Sequence, residues 1–227
     1  MKLTICVLLA FLFLISFSAS AENVGPIISD FNKHMTEYVP EEYENNENIF
    51  SDIIDVNWAQ ESIYALADLK IISGVGDNRF APEDSVTKSQ FLKMVFSAAG
   101  LLDEDAKTDK CSENNWQYPY IASAEKYGFD KLFYNDDYSL AISREEMAAS
   151  IGYALGLMKI KADSQPDVLF SDDENIDLAK KKYVYMLKNL YIISGYENGT
   201  FMPKNTARRC EAAVIVYKFV KYIDDQM

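Results

Sequence analysis

The sequence predicts an all-α fold built from three helix-loop-helix repeats. Two segments of the 227-residue chain, residues 69–82 and 190–203, are closely related to each other. Apolar residues near them recur every three or four positions, which is the period of an amphipathic helix. Turn-forming residues follow each such stretch, and helix-capping patterns precede the next one. An internal repeat of this kind is typical of proteins that build one core from several similar units.

The chain is acidic, because 35 Asp and Glu residues outnumber 22 Lys and Arg residues and give a formal net charge of −13. Hydrophobic residues make up 49% of it and charged residues 25%, a composition typical of globular proteins. General nucleic-acid binding needs a basic surface that neutralises phosphates. We therefore expect no nucleic-acid partner.

Residues 1–21 are predicted to be a secretory signal peptide that is cleaved after Ala21. Lys2 gives a positive start, the apolar run Leu3–Phe17 follows, and Ala19-Ser20-Ala21 offers small residues to a signal peptidase. The run is short for a bilayer span, and a retained N-terminal anchor is the alternative. No later stretch is apolar enough to cross a membrane, so we expect a secreted protein without a membrane span after cleavage.

Residues 22–49 are predicted to be an acidic linker. The segment is rich in Asp and Glu, has Lys33 as its one opposing lysine, and is interrupted by Pro26 and Pro40. Such a composition buries too little apolar surface to offset the entropy lost on ordering. The folded part is therefore expected to begin near Phe50.

The first and third repeats correspond residue by residue. Leu69–Pro82 and Leu190–Pro203 are identical at seven of fourteen positions, at a constant offset of 121. Their starts match as well, since Phe50-Ser51-Asp52 corresponds to Phe170-Ser171-Asp172 with a slip of one residue. An offset of about twice 60 residues predicts a further copy between them.

The middle copy is weaker. Trp116 pairs with Trp58 and Ile121 with Ile63, but Lys126–Lys131 replaces the Ile-Ile-Ser-Gly turn of the other two copies. We assign three repeats, of which the middle one is degenerate, to residues 50–102, 111–158 and 170–225.

Within the first repeat, the first helix is expected to end at Ser73-Gly74, because glycine commonly ends helices. Gly76–Asn78 then forms a turn, and Phe80–Pro82 is an extended stop. The helical stripe consists of Trp58, Ala59, Ile63, Leu66 and Leu69.

The second helix of each repeat is expected to begin at a capping pattern. Thr87 and Gln90 form a capping box, in which the hydroxyl accepts from the backbone amide of the third helical residue while the side chain of that residue reaches back. Ser143 and Glu146 repeat the device in the middle copy. The apolar faces behind the boxes consist of Phe91, Met94, Val95 and Ala98, and of Met147, Ile151, Ala154 and Leu155.

The third repeat departs from this pattern. It keeps the acidic residue as Glu211 but has Arg208 where the other copies have a hydroxyl. We therefore expect Asn205 or Thr206 to cap this helix one turn earlier.

These motifs resemble the S-layer homology domain, whose repeat carries Phe-x-Asp, Trp-Ala, a glycine turn, Phe-x-Pro and Ile-Thr-Arg-Ala-Glu. The likeness covers nearly all of residues 50–225. It implies that the three repeats form a pseudo-threefold bundle. It also implies grooves between the repeats that bind the secondary cell-wall polysaccharide of bacteria, often through acidic pyruvylated sugars. The module would attach an exported protein to the bacterial cell surface without covalent chemistry.

The resemblance makes the residues at the matching positions candidate glycan ligands. These candidates are Lys88, Arg144 and Arg209 at the basic position, Asp52 and Asp172 at the acidic position, Trp58 and Trp116, and the turn glycines Gly74 and Gly195. Some positions depart from the family pattern: a lysine lacks the planar fork with which arginine holds a carboxylate, and the third repeat has Ala179 where a tryptophan is expected. One or two of the three grooves are therefore expected to be degenerate.

Arg144 and Arg209 stand at the start of a helix, where a cation opposes the helix dipole. An arginine at this motif position in two repeats favours a role in binding an anion together with free helix N–H groups. The alternative is a local ion pair with Glu146 or Glu211.

The tryptophan and aspartate candidates also have structural interpretations. Trp58 and Trp116 fit stacking on a sugar ring, but core packing is favoured as their main role. Asp52 and Asp172 fit hydrogen bonds to sugar hydroxyls and N-caps of the first helices equally well.

The remaining repeated positions are expected to be structural. Gly74 and Gly195 are predicted to occupy left-handed backbone positions, which favour glycine. Phe80 and Phe201 are predicted to lie in the core.

We expect no enzymatic activity, no metal and no cofactor. His34 is the only histidine and lies in the acidic linker, which gives Ser-His or Cys-His catalysis little support. Cys6 lies in the predicted signal peptide, and the two remaining cysteines and one histidine give no zinc-binding spacing. Ser171–Asn175 lacks the glycine of a calcium loop. Cys111 and Cys210 fit either one disulfide or two separate small apolar residues. The rival function is a surface protein-protein interaction module, with other surface-layer proteins as partners and decayed glycan sites.

Overall fold

A computed structural model describes residues 50–226 of the chain, which form an all-α structure as the sequence predicts. Three short 3-10 helices cover Ile54–Val56, Phe129–Leu132 and Asp173–Asn175. Each repeat contributes two α-helices, which are α1 (Asn57–Asp68), α2 (Lys88–Ala99), α3 (Tyr118–Tyr127), α4 (Arg144–Leu157), α5 (Leu178–Asn189) and α6 (Arg209–Asp225).

A ring of backbone hydrogen bonds joins the three repeats at a pseudo-threefold axis. Val86, Ile142 and Ala207 each lie two residues before the second helix of their repeat. The N–H of Val86 donates to the carbonyl of Ala207 over 3.0 Å, Ala207 donates to Ile142 over 3.1 Å, and Ile142 donates to Val86 over 3.0 Å. Because each residue gives one hydrogen bond and receives one, the ring closes.

The repeats share one core. The second helix of each repeat packs on the first helix of the next, so that α2 contacts α3, α4 contacts α5, and α6 contacts α1. Helix α2 also contacts α4 and α6. The predicted core residues Phe80 and Phe201 are 0% and 1% exposed, and the predicted apolar faces of α2 and α4 are buried. This burial of apolar surface is the main stabilising contribution to the fold.

The capping boxes of α2 and α4 are confirmed. The backbone N–H of Gln90 donates to the Thr87 hydroxyl, and that of Glu146 donates to the Ser143 hydroxyl. In each box the N3 side chain accepts from the backbone N–H of the N-cap residue over 2.9 Å.

Helix α6 begins at Arg209, with Arg208 at the N-cap, so the predicted caps at Asn205 and Thr206 are wrong. Only half of a capping box is made there: the N–H of Arg208 donates to the Glu211 carboxylate over 2.9 Å. A guanidinium has no acceptor with which to complete the other half.

Helix α1 ends at Asp68, not at Ser73-Gly74 as predicted. Lys70 takes a left-handed φ of 58°, and the N–H groups of Ile71 and Ile72 then both donate to the carbonyl of Leu66. Tyr191 takes the same φ of 58° after α5. The two isoleucines that follow each of these residues are buried, and this burial offsets the cost of the unusual backbone conformation.

The two cysteines in the folded part are both free. Cys210 is buried on α6, where desolvation raises the pKa of its thiol to about 11, and Cys111 lies partly buried elsewhere. The structure thus has the second of the two predicted alternatives. No helix between residues 50 and 226 is long and apolar enough to cross a bilayer. The predicted signal peptide and acidic linker lie outside the described residues.

Candidate ligand-binding clefts

Two clefts open between the repeats at corresponding positions. The first, which we call the repeat-1 cleft, has a volume of about 300 Å³, and the second, the repeat-3 cleft, about 160 Å³. The polar, charged and tryptophan residues that line the repeat-1 cleft are Ser73, Gln90, Lys93, Trp116 and Arg209. Those of the repeat-3 cleft are Trp58, Arg144, Ser194, Glu211 and Lys218, with Tyr196 beside them.

Each cleft is assembled from all three repeats by the same rule. In the repeat-1 cleft, the glycine turn at Gly74 and helix α2 belong to repeat 1, Trp116 comes from repeat 2 and Arg209 from repeat 3. In the repeat-3 cleft, Gly195 and α6 belong to repeat 3, while Trp58 comes from repeat 1 and Arg144 from repeat 2. Six of the nine candidate residues thus lie together in two sets of three.

The two arginines make corresponding contacts. Arg209 donates from Nε to the carbonyl of Phe80 over 2.9 Å and from Nη2 to that of Ser73 over 3.0 Å. Arg144 donates from Nε to the carbonyl of Phe201 over 2.9 Å. Both residues are only 6% exposed, and the guanidinium of Arg209 lies 4.6 Å from the ring centre of Phe80. Each arginine therefore ties its helix to a loop of a neighbouring repeat.

This structural role leaves part of Arg209 available to a ligand. A guanidinium carries five N–H donors, and the hydrogen bonds of Arg209 to residues 50–226 use two of them. Burial lowers the pKa of Arg209, but an arginine remains charged in proteins. The group can offer an anion two or more charge-assisted hydrogen bonds at the wall of the cleft.

Lys88 takes the corresponding place about the axis but makes different contacts. It is 2% exposed, and its ammonium donates to the backbone carbonyl and side-chain oxygen of Asn135 over 3.1 and 2.7 Å. Phe133 lies 5.4 Å from its Nζ. These contacts fix Lys88 as a link between repeats 1 and 2.

The helix N–H groups that were expected to assist the arginines are already occupied. The backbone N–H of Arg144 donates to the carbonyl oxygen of Asn205. The N–H groups of Arg209 and Lys88 donate to the carbonyl oxygens of Asp84 and Leu140, and all three bonds span 2.9–3.0 Å. Loops of neighbouring repeats therefore satisfy the helix N-termini, and anion binding at these clefts has to rest on side chains.

The alternative of an ion pair with Glu146 or Glu211 holds only in part, because the pair that forms is not local. The carboxylate of Glu146 accepts from Ser143 and Tyr134 instead. Arg144 pairs across the repeat boundary, where its Nη1 lies 3.8 Å from Oε1 of Glu211. Glu211 thus belongs to the repeat-3 cleft, although the sequence presents it as a capping residue.

Both tryptophans lie at the surface. Trp58 is 53% exposed and Trp116 is 51% exposed, so core packing as their main role is wrong. Each lines one cleft that an arginine also lines. An aromatic face of this kind packs well against the apolar side of a sugar ring.

Asp52 and Asp172 have a structural role that the sequence did not indicate. The two carboxylate oxygens of Asp52 accept from the N–H groups of Phe80 and Ala81, each over 2.8 Å. Asp172 accepts in the same way from Phe201 and the residue after it. Neither caps a helix with its side chain, so the N-cap alternative is wrong. Their carboxylates fix the Phe-x-Pro loops that the arginines grip.

Gly74 and Gly195 are required for close packing. Neither has a positive φ, so the predicted left-handed conformation is wrong. A Cβ at Gly74 would lie 2.6 Å from the carbonyl oxygen of Arg79 and 2.8 Å from the ring of Phe50. A Cβ at Gly195 would lie 2.7 Å from the ring of Phe170. The absent side chain allows each turn to form one wall of its cleft.

Aromatic side chains lie at the corresponding position beside repeat 2. Tyr153 is the counterpart of Lys218, and its hydroxyl donates to the carbonyl of Tyr127 over 2.8 Å. Its ring lies 5.0 Å from that of Phe129 and 6.5 Å from that of Tyr183. Neither these tyrosines nor Lys93 and Lys218 were predicted as site residues. The signal available for the two lysines was their spacing from the capping residues, which places them on the cleft side of α2 and α6.

Two parts of the chain match the model of a known family. The family model of the S-layer homology domain matches residues 49–92 and 169–213. The two matched segments contain the whole of α1 and α5 and the first turns of α2 and α6. The first and third repeats are therefore similar to S-layer homology domains, and each includes the turn that lines one cleft.

Several known proteins are similar over a longer stretch. An amylopullulanase of Thermoanaerobacterium thermosulfurigenes is 31% identical over 188 residues, which cover 81% of this chain and 10% of that protein. An S-layer protein of Bacillus thuringiensis subsp. finitimus and the S-layer protein sap of Bacillus anthracis are each 29% identical, over 74% of this chain and 21% of their own lengths. The chain thus spans between 10% and 21% of the length of these relatives.

Proposed function

We propose that the chain is a non-catalytic module that anchors an exported protein to the bacterial cell wall by binding an anionic, pyruvylated secondary cell-wall polysaccharide. The observation that carries this proposal is the convergence, in each of two clefts, of an exposed tryptophan and a buried arginine from different repeats. The arginine suits a carboxylate, and the tryptophan suits the sugar ring that bears it.

The relatives support the same function. Their names describe both surface-layer proteins and enzymes that act on polysaccharides, yet each is similar to this chain over a small part of its own length. A segment common to such different proteins is expected of an attachment module. The predicted signal peptide at residues 1–21 agrees with export to the surface.

Because the protein is acidic as a whole, attraction to an anionic polymer has to come from cations close to the bound sugar. A net charge of −13 repels an anionic polymer at long range. Attraction therefore depends on the few cations in the clefts, and two clefts acting on one polymer strengthen the attachment through effective concentration. We expect added salt to weaken the contacts within the clefts.

Co-sedimentation with purified cell-wall sacculi tests the proposal. We expect the protein to pellet with sacculi and to pellet much less after mild acid has removed the pyruvate ketals. Replacing both cleft tryptophans, Trp58→Ala with Trp116→Ala, should abolish most of the binding. The matched control is Tyr191→Asn, which removes an aromatic residue that is 85% exposed outside both clefts and keeps a residue that tolerates a positive φ.

Tryptophan variants are preferred to arginine variants because Arg144 and Arg209 also hold loops together. Wild-type pelleting by the double tryptophan variant would show that the clefts are not the binding sites. If the protein pellets with no sacculi but forms a stable complex with another surface protein, the interaction-module alternative replaces the proposal.

A further inference from the structure

We propose that the two clefts differ in affinity: the repeat-1 cleft binds the anionic group of the glycan more tightly, and the residue at the position of Gln90 and Glu211 sets the difference. This inference rests on the proposed function, because it concerns the same ligand class. Its basis is a difference in charge between two sites that are otherwise built alike.

A carboxylate of the protein lines the repeat-3 cleft. Oε1 of Glu211 lies 3.8 Å from Nη1 of Arg144 and 3.5 Å from Nη2 of Arg208. An incoming carboxylate that approaches Arg144 therefore meets a like charge already paired with that arginine. Lys218 also lines this cleft, so its three charged lining residues carry one net positive charge.

Among the described residues that line the repeat-1 cleft, none is a carboxylate. Gln90 stands at the position of Glu211 and performs the same backbone task, since its Oε1 accepts from the N–H of Thr87 over 2.9 Å. Lys93 lines this cleft where the other has Val214, and it makes no ion pair or hydrogen bond with residues 50–226. Together with Arg209 it gives the cleft two positive charges.

Other acidic residues near the clefts do not reverse this balance. Asp52 lies near Arg209, but both its oxygens bind backbone N–H groups, and Asp172 does the same in repeat 3. Asp84 also acts on Arg209, but it is exposed and does not line the cleft. Water and salt screen an exposed charge more strongly than one that lines a cleft.

The chain carries one tryptophan reporter for each cleft, because it has only two tryptophans. In the Trp58→Phe variant, Trp116 fluorescence reports the repeat-1 cleft alone. In the Trp116→Phe variant, Trp58 reports the repeat-3 cleft alone. The probe is the methyl glycoside of a 4,6-O-pyruvylated hexosamine, and the same glycoside without the ketal is the neutral control. We expect the dissociation constant of the probe to be roughly tenfold lower at Trp116 than at Trp58.

Exchanging the two residues tests the cause. Gln90→Glu should weaken binding at Trp116 by roughly tenfold, and Glu211→Gln should strengthen binding at Trp58 by a similar factor. Both substitutions preserve the backbone hydrogen bond, because each introduces the residue that already makes it in the other repeat. Binding of the neutral glycoside should change little in either variant.

The outcomes separate this inference from the proposed function. Equal dissociation constants at the two tryptophans, tighter binding at Trp58, or constants that the exchange leaves unchanged would overturn the inference while the sacculus binding stands. If neither tryptophan responds and the protein pellets with no sacculi, both the inference and the proposed function are wrong.

Discussion

Arg144 and Arg209 combine two tasks in one side chain. Each guanidinium donates hydrogen bonds to loop carbonyls of a neighbouring repeat, and the side chain also lines a cleft. The cost of burying the charge is offset by these hydrogen bonds and by the aromatic ring against which the group lies. A cation at the start of a helix is thus explained first by assembly of the fold, on which any binding role depends.

The turn glycines give a residue-scale prediction. Gly74→Ala should lower the free energy of unfolding by about 1–3 kcal/mol, because the new methyl group meets the fixed carbonyl oxygen of Arg79 at 2.6 Å. The matched control is Gly156→Ala in α4, where a Cβ would meet nothing within 4 Å. That variant should be neutral or up to about 1 kcal/mol more stable. Urea denaturation measures both, and equal stability of the two variants would contradict the packing argument.

The sequence predicted some residue roles and not others. Phe80 and Phe201 were identified as core residues because a large apolar side chain in a repeated motif has few alternatives. The exposure of Trp58 could not be predicted, since its place on the helical stripe fits a buried residue equally well. Closure of the three repeats into a ring puts Trp58 at a cleft, while Ala59 and Ile63 of the same stripe stay buried.

At the scale of single elements, the helix starts follow from local chemistry. Thr87 and Ser143 accept hydrogen bonds from the backbone N–H groups three residues ahead. A hydroxyl residue followed by Gln or Glu at that spacing therefore predicts the start of a helix. The helix ends were harder to predict, because Lys70 and Tyr191 take a conformation that usually favours glycine. What holds them there is the burial of the next two isoleucines, which depends on the rest of the fold.

The cap of α4 gives an element-scale prediction. Ser143→Ala should destabilise the protein by about 0.5–2 kcal/mol, because the N–H of Glu146 loses its acceptor in a buried position. Ser143→Thr keeps the hydroxyl, as the corresponding Thr87 of α2 does, and should stay near the stability of the wild type. Thermal unfolding followed by circular dichroism compares them. A threonine variant as unstable as the alanine variant would show that the hydroxyl is not what stabilises the cap.

On the scale of the whole molecule, no repeat is complete without the other two. Each cleft takes residues from all three repeats, and each second helix packs on the first helix of the following repeat. The sequence predicted three repeats, but it could not pair Trp116 with Arg209, which lie far apart along the chain. That pairing depends on the direction in which the ring closes.

This interdependence predicts cooperative unfolding. In the single-tryptophan variants Trp58→Phe and Trp116→Phe, the fluorescence and far-ultraviolet circular dichroism should give one shared midpoint within each variant. The reason is that either tryptophan is exposed to a new environment only when contacts among all three repeats are lost. Separate transitions for the two signals would mean that one repeat unfolds independently of the others.

The ring formed by Val86, Ile142 and Ala207 is made entirely of main-chain atoms. The three places carry Val, Ile and Ala, so these central hydrogen bonds do not depend on one particular side chain. Repeats joined in this way are free to diverge: one carries tyrosines at the place where the other two open into clefts of unlike charge. The residues of one cleft can therefore change during evolution while the central ring of hydrogen bonds stays intact.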